Sequence, residues 1–169
     1  KVLGITHPRF ASSLNNLAAL YQKIGAYDKA LPLYLQATNS YEKALGATHP
    51  RFANSLNNLA MLYQKMGAYD KALPFFIQAK NIREKTLGIA HPNFANSLNN
   101  LASTYYKVGD YYKALPLFVQ AKNIREKTLG AAHPSVASSL NNLASLYQKM
   151  SNYDQALPLY LQAKNVYEK

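Results

Sequence analysis

Four His-Pro dipeptides, His7-Pro8, His49-Pro50, His91-Pro92 and His133-Pro134, return at intervals of 42 residues. Imidazole is a common zinc ligand and a proton carrier near neutral pH, so a set of four invites both readings. The spacing argues against them. One histidine per 42 residues, always beside a proline at a helix start, is held far beyond the few ångströms over which ligands share one metal ion. Acidic residues number only eight, and they fall on positions such as Asp28 or in pairs such as Glu42-Lys43, which read as solvated helix surface. No serine gains a histidine and an acid by any periodic argument. Glycines stand singly, so no phosphate-cradling loop forms. The reading is no catalytic residue, no metal site and no cofactor.

The chemistry that does recur is that of the amide. Asn15-Asn16, Asn57-Asn58, Asn99-Asn100 and Asn141-Asn142 make two parallel ladders. An asparagine amide both donates and accepts, so it can hold the backbone of an extended peptide without reading its side chains. The same group can instead bond across to the neighbouring repeat and hold the stack, and one ladder can do each. Beside them runs a row of cations, Lys23, Lys65, Lys107 and Lys149. Three sets of positions vary around this frame: Ala19, Met61, Ser103 and Ser145; Gln22, Gln64, Tyr106 and Gln148; and Ser12, Asn54, Asn96 and Ser138. Specificity is expected to lie in these, with Tyr106 the odd member.

Such side chains need a scaffold, and the repeat supplies it. The blocks beginning at His7 and His49 agree at about 30 of 42 positions, as in arrays whose units stack on their neighbours. Phe10, Ala11, Leu14, Leu17, Ala18 and Tyr21 follow the spacing that gathers side chains on one stripe of a helix. Pro8 suits the first helical position, and Gly25 can take the left-handed conformation that ends a helix. A second stripe, Tyr27, Ala30, Leu31, Tyr34, Ala37, Tyr41 and Leu45, defines helix B, with Asp28 near its start and Gly46 past its end. Pro32, Pro74, Pro116 and Pro158 imply a slight kink or a late start. Projected at about 100° per residue, helix A carries Ser12, Asn15, Asn16, Ala19, Gln22 and Lys23 away from the stripe. Two substitutions break the pattern: Ser151 replaces the hairpin glycine, and Tyr112 replaces the helix-start aspartate.

Composition bounds the rest. The formal net charge of +11 attracts acidic partners and repels basic ones. No apolar run approaches the roughly 20 residues needed to span a bilayer, and a chain without cysteine suits the cytoplasm. Lys1 takes the place later held by Lys43, Lys85, Lys127 and Lys169, so the chain reads as a piece of a longer array. Residues 1–6 form the tail of a preceding repeat, followed by repeats at 7–48, 49–90, 91–132 and a truncated 133–169, in one continuous solenoid.

The pattern Leu14, Leu17, Ala18, Tyr21, Gly25, Tyr27, Ala30, Tyr34, Ala37 resembles the tetratricopeptide repeat signature. The longer period, with Asn81-Ile82-Arg83-Glu84-Lys85-Thr86-Leu87-Gly88 leading to His91-Pro92 and then Ser97-Leu98-Asn99-Asn100-Leu101-Ala102, is similar to the 42-residue repeats of the kinesin light chain group. The resemblance implies an all-α fold, a right-handed α-solenoid of stacked antiparallel helix hairpins. It implies a non-enzymatic protein–protein interaction scaffold whose A helices line a concave groove for a peptide or helical segment. The resemblance carries peptide-backbone contact over to Asn15, Asn16, Asn57, Asn58, Asn99, Asn100, Asn141 and Asn142, and the helix projection, the varying positions and the lysine row add Gln22, Lys23, Met61, Gln64, Lys65, Ser103, Tyr106, Lys107, Gln148 and Lys149 as groove candidates. With the lysine row alongside, an acidic partner is expected. The alternatives are a basic solenoid that binds nucleic acid, using the exposed tyrosines expected at Tyr41, Tyr106, Tyr112 and Tyr167, and an array that self-associates end to end.

Overall fold

The computed structural model describes residues 7–168. The tail expected at residues 1–6, and Lys169, lie outside the described residues. Eight helices and no strands occur among these: α1 (Pro8–Lys23), α2 (Tyr27–Leu45), α3 (Pro50–Lys65), α4 (Tyr69–Leu87), α5 (Pro92–Lys107), α6 (Tyr111–Leu129), α7 (Pro134–Lys149) and α8 (Tyr153–Tyr167). None is long and apolar enough to cross a membrane. The odd-numbered helices are the A helices and the even-numbered ones the B helices. The chain divides into two compact units, one ending at Thr86 and one starting at Leu87.

Each A helix begins on the His-Pro pair for a local reason. The histidine sits in extended conformation, and its Nδ1 accepts from the backbone N–H two residues on: Arg9, Arg51 and Ser135 at 3.1 Å, Asn93 at 3.0 Å. The imidazole thus caps N–H groups that have no partner inside the helix. Proline follows where its missing N–H costs nothing. The histidines are helix caps, and among the described residues no three His, Cys, Asp or Glu side chains come together to hold a metal ion.

Helix A hands over to helix B through a left-handed residue. Gly25 has φ +80°, and Ser151 adopts the same turn at φ 59° in spite of its Cβ. Helix B starts at Tyr27 and runs through Pro32, so the late start that the proline suggested is not taken. At α6 the carboxylate absent from position 112 reappears two residues earlier. Asp110 accepts from the Lys113 backbone N–H at 3.2 Å and pairs with Lys113 Nζ at 2.7 Å.

Within the unit ending at Thr86, the core is a ribbon between helices. Ala18, Ala30 and Tyr34 of the first hairpin close on Leu59 and Leu62 of α3, and Ala11 and Tyr41 close on Phe52, Ala53, Leu56, Ala79 and Ile82. The unit starting at Leu87 repeats the plan, with Ala102, Ala114 and Phe118 packed on Leu143 and Leu146. The alanines are wholly buried, which lets helix backbones approach closely. Leu17 is 43% exposed although Leu59, Leu101 and Leu143 at its position are buried. Leu59 and Leu143 pack on the hairpin before them, and among the described residues α1 has none before it.

Candidate functional site

Helix capping and core packing place the A helices of each unit side by side. In the first unit Asn15 Nδ2 of α1 reaches Ser55 Oγ of α3 at 3.5 Å. In the second, Asn142 Nδ2 of α7 donates to Asn99 Oδ1 of α5 at 2.9 Å, and Tyr106 Oη lies 3.0 Å from Ser145 Oγ. Some of the ladder amides therefore hold neighbouring A helices together. Asn57 is buried and donates to Met61 Sδ at 3.3 Å. Asn16 is exposed, while Asn58, Asn99, Asn100, Asn141 and Asn142 are half-buried.

On the same side of the first unit a cleft of about 330 Å³ is lined by Ala19, Gln22, Lys23, Tyr34, Asn58, Met61 and Lys65. Five of these seven are residues that the sequence singles out as groove positions. Tyr34 belongs to the packing stripe of helix B and is buried, yet it also floors this cleft. Burial raises the pKa of its hydroxyl above that of an ordinary tyrosine. In the second unit, Ser103 is half-buried, Gln148 is exposed and accepts from Tyr160 Oη at 3.0 Å, and Gln64 of the first unit is half-buried.

Charge separates the lysine rows. Lys80, Lys122 and Lys164 pair with the glutamates one turn on, at 2.7, 2.6 and 3.0 Å. Lys23, Lys65, Lys107 and Lys149, at the ends of the A helices, are exposed and in no ion pair among the described residues. They also stand at the negative ends of their helices, which accounts for one cation per helix without accounting for a ligand.

One expectation is corrected and one is refined. Ser12, Asn54, Asn96 and Ser138 each bond within their own hairpin to the residue 29 positions on, while Asn54, Asn96 and Ser138 remain exposed. Ser12 meets Tyr41 Oη at 2.7 Å, Asn54 accepts from Arg83 at 2.8 Å, Asn96 accepts from Arg125 at 2.9 Å, and Ser138 meets Tyr167 Oη at 3.3 Å. Serine is matched with tyrosine and asparagine with arginine, a correspondence visible in the sequence once the two positions are compared. Of the tyrosines expected outside, Tyr112 and Tyr167 are exposed, but Tyr41 is buried and Tyr106 half-buried. A second kind of cleft was not anticipated. It lies on the B helices of each unit, lined by Pro74, Ile77, Gln78, Asn81 and Lys85 in one and by Pro116, Val119, Gln120, Asn123 and Lys127 in the other.

The tetratricopeptide repeat model matches residues 9–85, 51–111 and 93–169, and so takes in nearly the whole chain. The chain belongs to the tetratricopeptide repeat family. Its repeats are of the kinesin light chain-like kind. Two solved structures of a putative kinesin light chain of Podosopora anserina with nearly identical TPR-like repeats are similar: one at 32% identity with a TM-score of 0.81, covering 95% of this chain and 76% of that one. The other, a point-substituted form of that protein, shows 31% identity and a TM-score of 0.86, covering 98% and 78%. BtubC (BKLC) from P. vanneervenii has the same fold at 23% identity and a TM-score of 0.87; 95% of this chain is covered, and it spans 65% of the length of that protein. No curated protein matches. Tetratricopeptide repeat domains are in general protein–protein interaction scaffolds without enzymatic activity.

Proposed function

We propose that the A-helix face of each unit binds a polypeptide segment rich in carboxylates, with the helix-end lysines supplying charge and the asparagine and glutamine amides supplying backbone hydrogen bonds. The observation that carries this reading is the cleft of the first unit, where Lys23 and Lys65 stand beside the amides of Gln22 and Asn58. Lys80, Lys122 and Lys164 have glutamate partners in their own helices, whereas Lys23, Lys65, Lys107 and Lys149 are exposed and, like Lys29, Lys43, Lys71, Lys85 and Lys127 of the B helices, in no ion pair among the described residues. An unpaired cation beside a cleft is available to a partner's carboxylate, and its attraction weakens with salt. The groove residues are Asn15, Asn16, Gln22 and Lys23 with Asn57, Asn58, Met61, Gln64 and Lys65 in the first unit. In the second they are Asn99, Asn100, Ser103, Tyr106 and Lys107 with Asn141, Asn142, Gln148 and Lys149. The test is titration of acidic and basic peptides of equal length at low and high salt. Preference for the acidic set, reduced by salt and by Lys65→Ala, supports the reading. Equal affinity for both sets overturns it.

A second reading has its own observation. Leu17 and Leu20 on α1, and Tyr153, Leu157 and Leu161 on α8, are exposed apolar residues. Leu59 and Leu62, which correspond to the first two, are buried between hairpins. We propose that such faces join copies of the chain end to end.

A further inference from the structure

The B helices carry apolar residues on two sides. In α6 the buried Ala114, Phe118 and Ala121 face the core. Projection at about 100° per residue gathers Pro116, Val119, Gln120, Asn123 and Lys127 on the opposite stripe. In α4 the stripe of Pro74, Ile77, Gln78, Asn81 and Lys85 lies likewise opposite the buried Ala72, Phe76 and Ala79. A stripe that only meets water is polar, yet Ile77 is 38% and Val119 37% exposed, with Leu35 and Leu161 exposed at the same register. The stripe is recessed, because the loop leading into the A helix of the same hairpin lies beside it. Ala47 and Thr48 border a cleft of about 470 Å³ on α4, and Ile89 and Ala90 one of about 430 Å³ on α6.

Each of these clefts has one charged side chain, Lys85 or Lys127, exposed and in no ion pair among the described residues. A place in the last helical turn suits a cation, which explains the lysine and not the aliphatic wall beside it. Gln78, Gln120 and Asn123 are exposed, and their side chains make no hydrogen bond among the described residues. We propose that the two B-helix clefts dock an acidic polypeptide segment of a partner protein, an aliphatic side chain entering the recess with a carboxylate beside it. The aliphatic group buries apolar surface, the carboxylate answers the lysine, and the segment's backbone gives the amides something to bond. A second copy of this chain lacks that complementarity, since its 19 lysines and arginines outnumber eight acidic residues. A fatty acid offers no amides, and an anionic bilayer meets protruding groups before recessed ones. The surface shares no residue with the A-helix groove and stands independently of it.

The test titrates the full ¹⁵N-labelled chain with three capped peptides of equal length: one of glutamates with interspersed leucines, one with serine in place of leucine, and one with lysine in place of glutamate. Saturable shifts of the Gln120 and Asn123 side-chain amide signals are expected with the glutamate–leucine peptide alone. Val119→Asp should weaken that binding by about tenfold or more, through lost apolar burial and a repelled carboxylate. Helicity should stay the same, because position 119 points away from the core. Lys127→Ala should weaken it by about threefold and flatten its salt dependence. Lys65→Ala, on the A-helix face, should leave the Gln120 and Asn123 shifts as they are. Equal shifts with the serine or the lysine peptide, or insensitivity to Val119→Asp, would overturn the proposal. So would cosedimentation with phosphatidylserine vesicles that Val119→Asp abolishes while no peptide shifts these signals. Peptide shifts confined to the Asn58 and Asn142 amides would sink this surface and leave the A-helix groove standing.

Discussion

The matched pairs between helix A and helix B show how one residue constrains another across 29 positions. Serine with tyrosine and asparagine with arginine are two solutions to the same contact. Arg125 also donates to Ser139 Oγ of the next A helix at 2.7 Å, and burial lowers its pKa. A guanidinium placed there without its amide partner is a poorly satisfied, desolvated charge. Tyr41→Arg alone should therefore destabilise the chain by about 1–3 kcal/mol. Adding Ser12→Asn should recover most of that, since Ser55 already stands where Ser139 does. Urea unfolding of the two single variants and the double gives the coupling; simple additivity would show that the pairing is incidental. Taken one column at a time, Ser12, Asn54, Asn96 and Ser138 look like free specificity positions, because variation within one column does not reveal the column it answers to.

Helices were the most legible level, since 3.6-residue periodicity, the His-Pro starts and the hairpin glycines agree with one another. The exceptions are instructive. Ser151 adopts φ 59°, a left-handed conformation that costs a residue with a Cβ about 1 kcal/mol. Ser151→Gly should return about that much, read as a higher urea midpoint with unchanged m. An unaltered midpoint would mean that the hairpin already relieves the strain. Tyr112 looked like a lost helix-start carboxylate, but Asp110 serves α6 instead, because capping depends on where the chain turns into the helix. The side-chain hydrogen bond with Lys113 is the main cause holding the Asp110 pKa below the usual carboxylate range, and the backbone N–H and the charge of Lys113 add to it. A depressed folded-state pKa stabilises the fold above the unfolded-state value and loses that contribution as pH falls through the folded value. The Tm difference between the parent and Asp110→Ala should thus hold from neutral pH down to the ordinary carboxylate range and disappear below it. A difference that is the same at every pH would mean that the carboxylate charge is irrelevant.

For the molecule as a whole, repetition made the fold readable and left the ends obscure. Identical letters suggest identical roles, yet Leu59 is buried and Leu17 is not, because burial belongs to the neighbour as much as to the residue. The tyrosines illustrate the same limit, since Tyr34 and Tyr160 share a position and differ in exposure. Faces that lack a neighbour among the described residues bear on association between chains. The internal joint sets Tyr27, Leu31 and Tyr34 of a B helix near Leu59 and Leu62 of the next A helix. The α8 residues Tyr153, Leu157 and Tyr160 correspond to the first three, and Leu17 and Leu20 to the last two. A second copy could dock in that register, head to tail, and a contact of this kind propagates into open chains unless it closes into a ring. Two copies each carrying a net charge of +11 repel, and salt screens that repulsion while strengthening apolar burial. The mean mass by light scattering should therefore rise from 18.8 kDa with concentration, and more so at high salt. Leu20→Lys should hold the chain at the monomer mass in the same series, without lowering its helicity. A parent chain that stays at 18.8 kDa throughout would rule out self-association through these faces.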